Sequence, residues 1–189
     1  MAYGALILIA AVNIILIAFA PEAVAIFAPK AYYDAKWIIP PVATSVFFMF
    51  AYDLFAKFEF YYERTSLIML ASTIGAVLNI ALNYLLIPIF GYYVAGYVTL
   101  LCYILYAIFH YIFMNQICRS ELGTQPYNTK LLLGITSVFM AISLLFLASY
   151  TNVLLRYTLI LIIIIIGIIK RKYLMQIIGL MVKMRKQRR

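Results

Sequence analysis

Asn79 and Asn83 stand four residues apart in a stretch that is otherwise almost wholly apolar. In a helix that spacing puts both amides on one face, and Ser72 and Ala76 continue the face as a stripe of small and polar groups. An amide is neither a nucleophile nor a general base; what it does is donate and accept hydrogen bonds. Inside a membrane such groups are costly to keep, and each is a candidate for function. Two roles are open. The small residues allow another helix to approach while the amides bond across the gap, or the stripe lines a polar cavity.

A second set is charged: Asp53, Lys57, Glu59, Glu63 and Arg64, where one apolar stretch ends and the next begins. Asp53 and Lys57 have the spacing of an i,i+4 pair, and a solvated hairpin would account for the whole group. Asp53 fits that account least well, because Phe50, Ala51, Tyr52, Leu54 and Phe55 surround it in sequence. Facing a cavity it would be placed to carry a proton, which makes it the proton-coupling candidate. His110, between Phe109 and Tyr111, is either a packed, hydrogen-bonded side chain or a proton relay. Cys102 and Cys118 would lie about 24 Å apart on a helix, far beyond disulfide reach, and read as small apolar fillers. One histidine and two distant cysteines do not make a structural zinc site. No metal, cofactor or catalytic residue is expected.

These side chains must be held by elements suited to lipid. The 189 residues are 67% hydrophobic and 11% charged, with a mean hydropathy of +1.04, whereas a soluble domain carries roughly 45–50% apolar and about 25% charged residues. A helix of about 20 apolar residues crosses a hydrocarbon core of about 30 Å. On that measure the chain is an all-α integral membrane protein, a bundle of about six transmembrane helices over residues 3–27, 37–58, 66–87, 92–114, 131–150 and 153–169. Asn13 and Glu22 interrupt the first, with Pro21 near its end. Pro40 and Pro41 fall in the first turn of the second, where a missing N–H costs least. Pro88 is expected to end the third, and the longest link, 115–130, carries Gly123, Pro126 and Asn128.

Of the 15 lysines and arginines, eight lie between Lys170 and Arg189, a segment without an acidic residue. Leu174, Ile177, Ile178 and Met181 recur among them at helical spacing. The segment 170–189 therefore reads as a basic amphipathic helix on the cytoplasmic face, attracted to anionic headgroups. Lys57, Arg64, Arg119 and Lys130 fall on the same side, against Lys30, Lys36 and Arg156 on the other, so both termini are expected in the cytoplasm. No recognition motif accompanies the basic tail, and nucleic acid is not an expected partner. Met1-Ala2-Tyr3 leads straight into apolar sequence, so the first segment is expected to be a retained helix rather than a signal peptide.

The run Asn79-Ile-Ala-Leu-Asn83-Tyr-Leu-Leu-Ile-Pro88-Ile-Phe-Gly91-Tyr-Tyr-Val-Ala95-Gly-Tyr-Val-Thr99-Leu-Leu-Cys-Tyr103 resembles the polysaccharide-biosynthesis flippases, including O-antigen (Wzx-type) flippases, of the multidrug/oligosaccharidyl-lipid/polysaccharide (MOP) transporter superfamily. Pro21-Glu22-Ala-Val-Ala-Ile-Phe27 and Tyr32-Tyr33-Asp34-Ala35 are similar to the segment that precedes this run in the family. The resemblance covers about residues 20–115 and implies two six-helix lobes around a cavity that opens to each side in turn, this chain being similar to the C-terminal lobe. It implies a polyprenyl-diphosphate-linked oligosaccharide as cargo, membrane lipid as surroundings, the cytoplasmic (inner) membrane as location, and a complementary N-terminal lobe or a second copy as partner. Asn79 and Asn83 would then face the sugar, Ser72 is a further substrate-cavity candidate, and Arg64, near the cytoplasmic mouth, could meet the diphosphate. A non-transporting scaffold or inactive transporter fragment is the alternative. An enzyme acting on lipid-linked sugars fits less well, since the loops are short and hold no metal-binding cluster of carboxylates.

Overall fold

The computed structural model describes residues 2–169 and Gly179. The remainder of the basic amphipathic segment expected over 170–189 lies outside the described residues. Within them the chain is helical, without a strand: α1 (Ala2–Ala18), α2 (Ala20–Phe27), a 3-10 segment (Lys30–Trp37), α3 (Ile39–Tyr61), α4 (Thr65–Phe90), α5 (Val94–Leu122), α6 (Thr129–Ala148), a 3-10 turn (Ser149–Thr151) and α7 (Val153–Ile169). Among the described residues four spans are long and apolar enough to cross a membrane, Ile39–Tyr61, Thr65–Phe90, Val94–Leu122 and Thr129–Thr151, and α1 with α2 makes a fifth if the bent pair counts as one. Within those residues this is fewer than the six expected. The described part of α7 has 17 residues, which span about 26 Å, short of a hydrocarbon core of about 30 Å.

Local chemistry sets the boundaries. Pro21 lies in the first turn of α2 and cannot donate to the carbonyl of Ile17; there the first apolar stretch breaks into two helices at 56°. Pro40 and Pro41 open α3 at positions whose N–H groups have no intrahelical partner, while Trp37 belongs to the 3-10 segment before it. Pro88 does not end α4, which runs on to Phe90. A proline so near the C-terminus removes a single intrahelical bond, and the helix stops where Gly91 takes φ 78°. The link expected over 115–130 is mostly helix: α5 continues to Leu122 and closes at Gly123 in the left-handed region, with its N–H donating to the Arg119 carbonyl at 3.2 Å. At 29 residues α5 is about 43 Å long, more than a hydrocarbon core of about 30 Å, and its charged residues, Arg119 and Glu121, lie in its last turn. The Asn128 carboxamide caps α6, accepting from the Leu131 N–H at 3.2 Å.

α3 is the central helix and makes its broadest contact with α5. Leu6 and Ala10 of α1, Phe47, Phe48, Ala51 and Phe55 of α3, Ala107, Met114 and Cys118 of α5, and Leu132 and Phe139 of α6 form the main core. The Phe47 and Phe139 rings stack at 4.4 Å. A second cluster gathers Ile17, Ala20, Ala43, Phe146, Tyr150 and Ile160 around the α1–α2 bend. α4 lies outside this body, packed along α5, with Ala71 as its one fully buried residue. Its outward positions are mostly apolar, among them Ile74, Val77, Ile80 and Leu85, the surface that lipid tolerates.

Candidate functional site

Where α4 meets α5, the residues that touch recur at helical spacing: Ala71, Gly75, Asn79 and Asn83 are wholly or partly buried, whereas Ser72 and Ala76 are exposed. The contact face is thus rotated by about one residue from the stripe expected over Ser72 and Ala76. Gly75 is the point of closest approach. A Cβ there would lie 2.4 Å from the Tyr106 ring carbon Cζ and 2.4 Å from its hydroxyl oxygen. That hydroxyl reaches over Gly75 and donates to the Ser72 carbonyl at 3.0 Å.

Beside this contact an open groove of about 390 Å³ is lined by Gly75, Ala76, Asn79, Thr99, Cys102 and Tyr106, with Ile80 and Tyr103 completing it. Asn79 donates to the Cys102 sulfur at 3.6 Å. Asn83 donates to both the backbone carbonyl and the side-chain oxygen of Asn79, at 3.0 and 3.1 Å, and so fixes the amide that faces the groove. The Thr99 hydroxyl donates to the Ala95 carbonyl at 2.8 Å, within its own helix. The groove therefore presents an oriented amide, hydroxyls and a thiol at mid-helix depth. That surface can exchange hydrogen bonds with a polar ligand, and among the described residues no charged side chain lines it. A second cavity of about 160 Å³, among Leu6, Phe48, Phe55, Ile104 and Leu132, is almost purely apolar.

Of the residues singled out in the sequence, Asn79 and Asn83 come together at the groove, and Ser72 joins them only through its backbone. Arg64 lies at the α3–α4 turn, half exposed, 3.7 Å from Glu121 of α5. Asp53 is on the open side of α3, paired with Lys57 at 2.9 Å, its side chain 55% exposed. Neither lines the groove.

Two constellations were not evident as pairs from sequence. Glu59, placed above in a solvated hairpin, is fully buried, and its Oε1 lies 2.7 Å from Nδ1 of the equally buried His110. The corrective signal is periodic: Glu59 continues the face of Ala51 and Phe55 on α3, and His110 that of Ala107 and Met114 on α5. The second pair joins Glu22 of α2 to Arg156 of α7, with the Tyr157 hydroxyl donating to the same carboxylate oxygen at 2.7 Å. Arg156 also packs near the faces of Tyr150 and Tyr157. Compared with known protein families, curated proteins and solved structures, the chain matches none.

Proposed function

We propose that the chain forms one lobe of a flippase that moves a polyprenyl-diphosphate-linked oligosaccharide across the cytoplasmic membrane by alternating access, for surface polysaccharide synthesis. The observation that carries this reading is the groove between α4 and α5. It is a polar surface within two membrane-length helices that the described residues leave open. A glycan head group cannot cross about 30 Å of hydrocarbon unaided, because each unpaired hydroxyl there costs several kcal/mol. Asn79, oriented by Asn83, and the Thr99 and Tyr106 hydroxyls would replace part of its hydration while the prenyl chain stays in lipid. Closing the groove falls to a complementary lobe or a second copy, and rocking of the two would expose it to each side in turn. The excess of basic residues on the side of the α3–α4 turn and the C-terminus supports a cytoplasmic position for both ends.

One observation favours the alternative of a non-transporting scaffold or inactive fragment. Among the described residues the groove lining offers no cation for a diphosphate, and Arg64, the expected partner, sits at the helix ends paired with Glu121. Reconstitution decides between the two. Liposomes carrying the chain, alone and with a complementary lobe, are loaded with fluorescent polyprenyl-diphosphate glycan, and the fraction open to an external glycosidase is followed. Time-dependent exposure of the inner-leaflet pool supports the flippase. A constant outer-leaflet fraction under both conditions supports the scaffold.

A further inference from the structure

We propose that Glu59 and His110 together form a buried binding site for a single exchangeable proton. The pair bridges α3 and α5 across the broadest helix contact of the bundle, Oε1 to Nδ1 at 2.7 Å, with the side chains 0% and 1% exposed. Counting charge defines what such a site can hold. A carboxylate beside a neutral imidazole leaves one negative charge in a low-dielectric interior. A carboxylic acid beside an imidazolium leaves one positive charge. With one proton shared between them the pair is neutral overall, as carboxylate with imidazolium or as carboxylic acid with imidazole. Burial strongly favours that count. Loading takes one proton from water onto the pair and release returns it; both need α3 and α5 to part far enough for water to reach the atoms.

Two further observations separate this site from an inert structural pair. Glu59 Oε2 is as enclosed as Oε1 and has no hydrogen-bond partner among the described residues, so a permanent carboxylate would be under-satisfied by them, whereas a proton held on the carboxyl removes the charge. The His110 ring also packs beside Tyr52 at 5.4 Å and Tyr106 at 6.3 Å, two rings that lie 5.5 Å from each other. Tyr106 in turn lines the α4–α5 groove and bonds to the Ser72 carbonyl. A change at the pair therefore reaches the groove through one side chain.

No third charged group bonds to the pair among the described residues. On α3, Asp53 and Lys57 are closed on each other. On α5 the titratable neighbours are Tyr103, Tyr106, Tyr111 and Cys118, with Arg119 and Glu121 at its end. The other helices packed on α3 contribute only Tyr3 from α1, Tyr84 from α4 and Lys130 from α6, and the 3-10 segment carries Lys30, Tyr32, Tyr33, Asp34 and Lys36 at the far end of α3.

The proposal stands whether or not the chain moves a glycan. His110 is the sole histidine, so ¹⁵N-histidine and ¹³C-glutamate labelling of the full chain in lipid nanodiscs reports this contact without assignment. Nitrogen–carbon recoupling is expected to show one carboxyl carbon next to the ring, and transfer into D₂O is expected to replace the proton held between them by a deuteron. A ring with no carboxyl carbon beside it, or a proton retained in D₂O, overturns the proposal on the unaltered protein. Glu59→Gln is expected to remove the ring-to-carboxyl signal and to change the ring nitrogen shifts; a ring spectrum identical to that of the unaltered protein overturns it equally.

Discussion

The Tyr150 hydroxyl donates to the Ile17 carbonyl at 2.5 Å, across 133 residues of sequence. Ile17 is the residue whose carbonyl Pro21, four positions on, cannot satisfy. A side chain from the end of the α6 span thus takes the place of the missing backbone donor and anchors the 56° bend between α1 and α2. Tyr150→Phe is expected to leave that buried carbonyl unpaired and to destabilise the protein by about 1–3 kcal/mol. The loss should be smaller in a Pro21→Ala background, where an N–H returns. Thermal unfolding in detergent of the two single variants and the double variant checks this; equal losses in both backgrounds would show that the two residues are not linked.

Gly75 is the second place where one atom decides the packing. Its missing Cβ is the space filled by the Tyr106 ring and hydroxyl, and that hydroxyl is held by the Ser72 carbonyl. Gly75→Ala is expected to push Tyr106 away, break that bond and cost about 1–3 kcal/mol by overpacking. Adding Tyr106→Ala should recover much of the loss. Disulfide trapping between cysteines placed on α4 and α5 measures the change in approach, and an unaltered trapping rate in Gly75→Ala would refute it.

The helical, apolar character of the chain is legible from composition alone, because long apolar runs suited to lipid have to bond their own backbone. Boundaries were less so. Pro88 reads as a stop, yet near a helix end it removes too little to act as one. The apolar count also gives no sign that α5 continues through Arg119 and Glu121. At the groove, Asn79 and Asn83 are readable from their spacing, but the face they share was placed one residue off. Spacing fixes which residues align, whereas Gly75 and Tyr106 fix how far α4 turns toward α5. Charge in sequence misled most at Glu59. A carboxylate close to Lys57, Glu63 and Arg64 looks solvated, and its partner His110 lies 51 residues away.

The two groove asparagines are predicted to separate packing from cargo binding. Asn79→Leu removes the amide that faces the groove but keeps an apolar side chain of similar size, so stability is expected to change by less than about 1.5 kcal/mol. Under the flippase reading transport should fall by about tenfold or more, the equivalent of about 1.4 kcal/mol in binding. Asn83→Leu should show a smaller loss, since it acts by orienting Asn79. Glycan exposure in liposomes measures transport, and unfolding in detergent measures stability. Unchanged transport in Asn79→Leu would leave the amides a packing role only.

Glu22 and Arg156 pose the opposite case, a pair whose value lies in its not being broken. Arg156 is 5% exposed at its side chain and Glu22 28%, so Glu22→Gln strands a guanidinium that has little access to water. Leaving a buried charge unpaired costs up to about 3–5 kcal/mol, and partial exposure of Glu22 should bring the observed loss toward the lower figure or below it. Arg156→Leu alone should cost less, because the carboxylate left behind reaches solvent and keeps the Tyr157 hydroxyl as a donor. The double variant Glu22→Leu with Arg156→Leu is expected to be more stable than Glu22→Gln, since an apolar pair in lipid needs no partner. Strictly additive losses across this set, measured by thermal unfolding, would show that the two side chains do not form a coupled pair.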